Sequence, residues 1–359
     1  MLTRKVENER LKVTENTDKT TQGHSFAETE IKLSVIIPVY KGGDSFRSCM
    51  KAMSHLEPAP EEIIVVADGG FDAGQKPEEQ PGVKIIETPS RNGPARARNI
   101  GAQAAQGDII LFIDADVVVR HDIIKRVKDI FFNDHELTAL IGSYDDSPDQ
   151  KNFLSQYRNL LHHYVHQSGK EDASTFWGAC GAVRRDVFLK LGGFNEKLYR
   201  QPAIEDIEFG YRLKQKGYKI KLCKTLQIKH LKRWSAFSIM KTDFFQRALP
   251  WTDLILKYRR FLNDLNLDTS SRVSVVLTFS LVTALILALF RAKFIILIPI
   301  LVFFLLYINL DLYKFFYKKR GMVFTLKVIP WHWLYFFYSG VAFMFGYGKH
   351  TVLQFIQRH

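Results

Sequence analysis

The stretch Asp108-Ile-Ile-Leu-Phe-Ile113, running straight into Asp114-Ala115-Asp116, decides the fold. A short run that is apolar at every position and closes on acidic residues reads as a strand buried on both faces, ending in a polar loop. Three runs of the same kind precede it. Leu33-Ser-Val-Ile-Ile-Pro-Val-Tyr40 ends at Lys-Gly-Gly, Glu62-Ile-Ile-Val-Val-Ala67 ends at Asp68-Gly69-Gly70, and Val83-Lys-Ile-Ile-Glu87 is the third. Between them, residues 44–55 (opened by Asp44-Ser45) and 93–106 (rich in Ala and Arg, entered at Asn92-Gly93-Pro94) carry helical composition. Strands alternating with helices predict an α/β fold, a mostly parallel sheet sandwiched by helices, with ligands at the carboxyl ends of the strands. Further helices are expected at His121–Phe132, Asn152–His166 and Asp206–Lys216, and no repeat of solenoid period is present.

Working outward, the 359 residues are 47% hydrophobic, which excludes a disordered chain. Three cysteines, none in a CxxC pair, exclude a disulfide framework and a structural zinc site; they read as reduced thiols of a cytosolic compartment. Residues 1–30 are polar, nearly neutral and without hydrophobic period, and are expected to form a disordered tail with no signal peptide. The net charge of +13 therefore belongs to the body and the C-terminal third, in places that form no continuous stripe for nucleic acid.

The last hundred residues are a different material. Val273–Phe290 is 18 residues without a charge and Phe294–Leu310 another 17, separated by Arg291-Ala-Lys293. Each approaches the ~20 residues that cross a bilayer, so the pair reads as a transmembrane helical hairpin. Lys257, Arg259, Arg260 and Arg272 before it, and Lys314, Lys318, Lys319 and Arg320 after it, favour both flanks on the cytoplasmic side over the two charges at Arg291 and Lys293. Val328–Gly346, with Trp331, Trp333, Tyr335 and Tyr338, is either a third span or an interfacial helix. The division expected is a tail over 1–30, a catalytic domain over 31–260 and a membrane region over 261–359. The protein is placed at the cell membrane, multi-pass, with its catalytic domain cytoplasmic and membrane lipids as neighbours.

Asp114 and Asp116 stand two apart in extended chain, so their carboxylates converge and call for a cation between them. Mg²⁺ or Mn²⁺ with oxygen ligands, completed by a nucleotide diphosphate, is the expected occupant. Pro38–Tyr40 and Asp68 end neighbouring strands, and Arg91, Arg96 and Arg98 are placed for phosphates or carboxylates. No GxxxxGK[ST] and no dinucleotide fingerprint is present, which argues against an ATPase or a dehydrogenase. Glu205-Asp206 opens a helix, where free N–H groups hold a carboxylate ionised as a general base needs. Phe176-Trp-Gly-Ala-Cys-Gly181 is a close-approach loop, and His230 follows a strand-like stretch as a possible metal ligand. Trp177, Arg233 and Trp234 are expected to meet the acceptor. His162 and His166, four apart, read as part of a helix lining the acceptor cleft rather than a metal site.

Taken in order, SVIIPVY (34–40), VVADGG (65–70), RNGPARARN (91–99), FIDAD (112–116), FWGACGAVRRDVF (176–188), GGFNE (192–196), EDIEFGYRL (205–213) and HLKRW (230–234) resemble a family 2 glycosyltransferase of the GT-A fold, over about residues 33–260. The resemblance implies that Pro38, Val39, Tyr40, Arg98 and Ala115 bind the nucleotide sugar and that Asp68 contacts the base. It implies that Asp114 faces ribose and metal, that Asp116 binds metal and diphosphate, and that His230 completes the metal shell. Gly178–Gly181 would lie beside the donor sugar, and Asp206, with Glu205 as neighbour, would deprotonate the acceptor hydroxyl. Two departures stand out: a single carboxylate in Ala67-Asp68-Gly69-Gly70 where the family pairs two, and His230 where processive synthases carry Gln.

The expectation is an inverting, metal-dependent transferase moving a sugar from a nucleotide-diphosphate sugar to a lipid-linked, membrane-proximal acceptor of the cell envelope. A polyprenyl-phosphate glycosyl synthase, in which phosphate attacks and no base is needed, is the rival within the class. A sugar-1-phosphate nucleotidyltransferase lacks its glycine-rich first loop here, and a non-catalytic nucleotide-sugar-binding scaffold is the rival from outside.

Overall fold

The structure, a computed structural model, describes residues 31–78, 80–258 and 268–358. The expected tail over 1–30, the flanking Arg259 and Arg260, and the boundary at 260/261 lie outside the described residues.

The chain runs β1 (Leu33–Lys41), α1 (Asp44–Met53), β2 (Glu62–Phe71), β3 (Val83–Glu87), α2 (Pro94–Ala104), β4 (Ile109–Ile113), β5 (Val117–Val118), α3 (Ile123–Asn133), β6 (Leu137–Tyr144), α4 (Phe153–Ser168), β7 (Cys180–Arg184), α5 (Arg185–Lys190), α6 (Glu205–Gln215) and β8 (Lys219–His230). All eight strands join one sheet in the order β3-β2-β1-β4-β7-β6-β8-β5. The four strands read from sequence form its parallel half. Beyond them β7 runs antiparallel to β4 and β6, while β6 and β8 pair in parallel. Pro38 is tolerated in central β1 because the pairing with β4 stops at Ile36, so its missing N–H breaks no ladder bond on that side.

Both faces are covered. Val35 and Ile37 of β1 enter one cluster with Phe46 and Cys49 of α1 and Val127 and Phe131 of α3. Ile36 points the other way, into a cluster with Ala97 of α2, Phe188 of α5 and Phe209 of α6. This period of two with apolar residues on both sides is why the strands read as unbroken hydrophobic runs. Cys49 and Cys180 are buried free thiols.

After β8 come α7 (Ala236–Lys241), a seven-residue π-helical segment (Thr242–Ala248) and α8 (Leu249–Tyr258), then α9 (Thr269–Phe290), α10 (Leu297–Ile308), α11 (Leu310–Arg320) and α12 (Met322–Arg358). The first expected span is α9, the one described helix long and apolar enough to cross a membrane unaided. The second differs from expectation. It begins as a 3₁₀ turn, Ala292–Ile296, becomes α10, and bends by 67° into α11. Asn309 sits at the bend and turns its amide inward, donating to Ser274 Oγ and the Leu305 carbonyl at 2.9 Å each. Large apolar side chains on the hairpin face outward, Leu289 at 83% and Phe290 at 77% exposure among them.

Val328–Gly346 is the middle of the 37-residue α12, which buries Val328, Phe336 and Ala342. Packing crosses the expected division between catalytic and membrane parts. Tyr157, Leu160 and Leu161 of α4 share a cluster with Leu312, Tyr313, Phe316 and Val328. A buried ion pair adds a polar tie: Arg158 of α4 meets both oxygens of Asp243 at 3.1 and 2.5 Å, and Tyr338 of α12 donates to Asp243 Oδ2 at 2.7 Å.

Candidate active site

At the carboxyl ends of β1 and β4, where the sheet changes from parallel to antiparallel, lies a cleft of about 470 Å³. Pro38, Val39 and Tyr40 form one wall and Asp114-Ala115-Asp116 the floor. Glu205 and Asp206 face them, with His230, Lys232 and Trp234 closing a third side.

Arg98, buried on α2, organises the floor. Its Nη2 donates to Asp114 Oδ1 at 2.6 Å and its Nη1 to Glu205 Oε1 at 2.9 Å. Burial works against its charge, but Asp114, Glu205 and Asp206 raise its pKa above the usual guanidinium value. Glu205 is fixed further by the Ala203 N–H at 3.0 Å on its other oxygen. Both Glu205 oxygens are thus engaged, and its part in this geometry is to hold Arg98.

Asp206 lies in the first turn of α6. Its Oδ2 accepts from the Gly178 N–H at 2.9 Å and its Oδ1 from the Ile207 N–H at 2.8 Å. Burial, with the neighbouring Glu205 charge, pushes its pKa up to about 6 against the pull of Gly178 and Arg98. It is therefore ionised at neutral pH yet basic enough to take a proton. Gly210, one turn later on the same helix face, permits this placement: a Cβ there would lie 2.2 Å from the Phe176 nitrogen. Gly181 is tight for the same reason, its missing Cβ falling 2.4 Å from the Trp177 carbonyl.

Asp116 and His230 meet because Val117 of β5 pairs antiparallel with His230 at the end of β8. His230 Nε2 is 3.5 Å from Asp116 Oδ2, and the imidazole stacks on Tyr144 with centroids 4.5 Å apart. Burial would raise the Asp116 pKa, but His230 and then Lys232 outweigh it and hold the carboxylate below its ordinary range. Asp114 is turned to Arg98, so the three expected metal ligands do not close into one cluster among the described residues. Asp116 and His230 do fit two neighbouring positions around a divalent cation, their donor atoms standing at about the spacing of adjacent ligands in a six-coordinate shell. Three carboxylates, Asp114, Glu205 and Asp206, surround the one guanidinium of Arg98, an imbalance that also favours a cation.

Several expected residues sit elsewhere. Asp68 is buried outside the cleft lining, its two oxygens taken at 2.8 Å by the N–H groups of Asn92 and Gly93. Its carboxylate fixes the loop entering α2. Arg233 is exposed and also outside the lining, whereas Trp177 and Trp234 belong to it. Gly178 reaches the site through its N–H, and Gly181 lies within β7. Arg91 stacks its guanidinium 4.1 Å over Tyr40 at the outer rim. His162 and His166 line the cleft, packed against Trp177. Burial pushes the His166 pKa down to about 4 and holds His162 well below the usual range, so both rings are neutral. Tyr144, Arg247 and Trp251 join the lining without having been singled out. A π-helical turn is a frequent mark of a functional site, but nothing in Thr242–Ala248 announces one in sequence.

Residues 34–192 match the sequence model of the family described as Glycosyl transferase family 2. The probable glycosyltransferase YdaM of Bacillus subtilis (strain 168) is 28% identical over 206 residues, 53% of this chain and 48% of that protein. The O-antigen chain rhamnosyltransferase RfbN of Salmonella typhimurium is 24% identical over 62% of this chain and 74% of its own. The first curated relatives are matched over 26%, 48% and 46% of their own lengths, half or less. Among solved structures, S. aureus TarS 1-349 in complex with UDP-GlcNAc overlays with a TM-score of 0.47 at 16% identity, covering 63% of this chain and 67% of that one. Residues 34–192, less than half of the chain, are thus similar in sequence to the family 2 glycosyltransferases.

Proposed function

We propose that the protein transfers a sugar, with inversion, from a nucleotide-diphosphate sugar to a lipid-linked acceptor at the cytoplasmic face of a membrane. The observation that carries this reading is Asp206: a carboxylate pinned by the Gly178 N–H, with a pKa of about 6, facing the Asp114–Asp116 floor across one cleft. Pro38, Val39 and Tyr40 receive the nucleotide, and Arg98 orders the floor beneath the donor sugar. Asp206 accepts the proton of the acceptor hydroxyl as its oxygen attacks the anomeric carbon. The bond from that carbon to the diphosphate breaks on the opposite side, and the nucleoside diphosphate leaves. Asp116 and His230 would hold Mg²⁺ or Mn²⁺, which supplies charge neutralisation to the leaving diphosphate. Trp177 and Trp234 offer apolar faces to the incoming acceptor. Inversion needs only this one displacement and no covalent enzyme nucleophile.

Membrane attachment is supported by the outward-facing apolar side chains of α9 and α10, and the basic residues flanking the hairpin favour a cytoplasmic catalytic domain. A lipid-linked acceptor follows from attachment, since the cleft is then held beside the bilayer.

The test is thermal unfolding of the detergent-purified chain with UDP, GDP or dTDP, each with and without Mn²⁺. One nucleotide should raise the midpoint in a metal-dependent way, by ~2.7 kcal/mol at a hundredfold excess over its Kd, and Asp116→Ala should abolish the shift. No shift with any nucleotide in folded protein would refute the donor site. Product stereochemistry by NMR, with retention of configuration, would refute the single displacement.

A further inference from the structure

A cavity of about 900 Å³, distinct from the cleft, lies among α8, α9, α10 and α12. Its walls are apolar, with Val275 and Phe279 from α9, Ile300 and Leu301 from α10, and Phe336 and Phe343 from α12. One end is polar: Arg158, Asp243 and Arg247 line it there, while Arg272 lines it from the first turn of α9. Three residues, His162, Arg247 and Trp251, line both this groove and the active-site cleft, so the two spaces share a wall.

The charges at that wall do not balance. Arg158 and Asp243 neutralise one another in a bidentate pair. Arg247 has no carboxylate within 4 Å among the described residues, and its one hydrogen-bond partner is His162 Nε2, at 3.3 Å. His162 is neutral, and its buried Nδ1 has no partner. Burial works against the Arg247 charge, lowering its pKa. A partly desolvated cation at the mouth of an apolar groove calls for an anion attached to a hydrocarbon.

We infer that the groove holds the chain of a single-chain lipid phosphate, with the phosphate on Arg247 and the group it carries projecting into the cleft as acceptor. This rests on the transferase reading for what the cleft does, and it names the class of acceptor carrier. A neutral lipid leaves Arg247 unpaired, and free phosphate leaves the apolar walls unused.

The full chain in detergent micelles would be titrated with a long-chain polyisoprenyl monophosphate, read by the thermal midpoint. The matching polyisoprenol, phosphatidylglycerol and inorganic phosphate are parallel arms. The monophosphate should bind about tenfold or more tightly than any of the three, as one lost charge-assisted contact implies. Arg247→Met should cost about that factor and Arg247→Lys recover part of it, which separates charge from folding. Thr283→Trp, filling the groove from an exposed wall position, should weaken the lipid too. Equal binding of the alcohol or of phosphatidylglycerol, or unchanged affinity in Arg247→Met or Thr283→Trp, would overturn the assignment. Nucleotide titration of the same sample keeps the two readings apart: lipid binding without nucleotide binding fails the donor site alone, and nucleotide binding without lipid binding fails the groove alone.

Discussion

Replacing Asp206 by Asn should make the protein more stable and nearly inactive. The carboxylate is held at a pKa of about 6 against an ordinary 3.8, a rise caused by burial and by Glu205. Because the folded value is the higher one, the native state binds the proton more readily between pH 3.8 and 6, and stability falls as pH rises through that window. Above it the full penalty applies, about 3 kcal/mol for two pH units. Asn carries no charge, but its amide can accept from only one of the Gly178 and Ile207 N–H groups, which returns about 1 kcal/mol. The net expectation at pH 7.5 is a gain of about 1–2 kcal/mol, a few degrees in Tm. At pH 5 the penalty is about halved and the variant's advantage should shrink toward zero. Thermal unfolding in detergent with a chelator, at both pH values, measures this. A variant no more stable at pH 7.5, or an advantage that does not change with pH, would refute the electrostatic account. Transfer should fall by about 10²–10⁴. Transfer that survives would point instead to a phosphate nucleophile, which needs no base.

In the wild type, kcat should decline as pH falls through about 6, approaching tenfold per unit below it, as Asp206 takes up its proton; a flat profile to pH 5 would remove Asp206 as base. Asp243→Leu leaves Arg158 buried and unpaired and should cost about 3–5 kcal/mol by denaturant unfolding, with Arg158→Met in the same chain restoring most of it. Gly210→Ala forces α6 away from the Phe176 backbone, so it should depress kcat through Asp206, while Ala in place of an exposed helical residue such as Gln215 should not.

The parallel half of the sheet was legible because its strands are buried on both faces and carry no competing signal. Residues 33–40, 62–67, 83–87 and 108–113 coincide with β1 to β4 within a few residues at each end. The antiparallel half was hidden for two reasons. Cys180–Arg184 contains the glycine that lets Trp177 and Phe176 fold back on it, so it read as a loop. Lys219–His230 alternates Ile220, Leu222, Leu226 and Ile228 with polar residues, so it read only as a strand-like stretch before His230, with no sign of its place in the sheet. At the site, Asp114, Asp116, Asp206 and His230 were visible as motifs, and the structure brings them to one cleft. What sequence could not give was the pairing among them. Arg98 joins Asp114 and Glu205 across 16 and 107 residues, and the Val117–His230 register, not proximity in sequence, sets Asp116 beside its imidazole. Asp68 shows the converse: a carboxylate inside β2, three residues before its end, whose two oxygens accept from backbone N–H groups of the loop entering α2.

The distribution of charge along the cleft gives these pieces a direction. At the β4 end, Asp114, Glu205 and Asp206 exceed Arg98, leaving a negative floor that must be offset before a diphosphate can approach. At the wall shared with the groove, Arg247 adds a positive charge beside the neutralised Arg158–Asp243 pair, close to α8 and α12. Opposite surpluses at the two ends of a cleft, in a medium less polarisable than water, make the two orientations of a phosphate-bearing pair unequal in energy. On the function proposed above, a donor entering with its own cation would settle at the negative end, and an acceptor carrying a bare anion at the positive one. Asp206 stands on the negative side of that divide, where burial and its acidic neighbours keep it basic. On that proposal, the gradient that orders the two substrates is the same one that raises the Asp206 pKa.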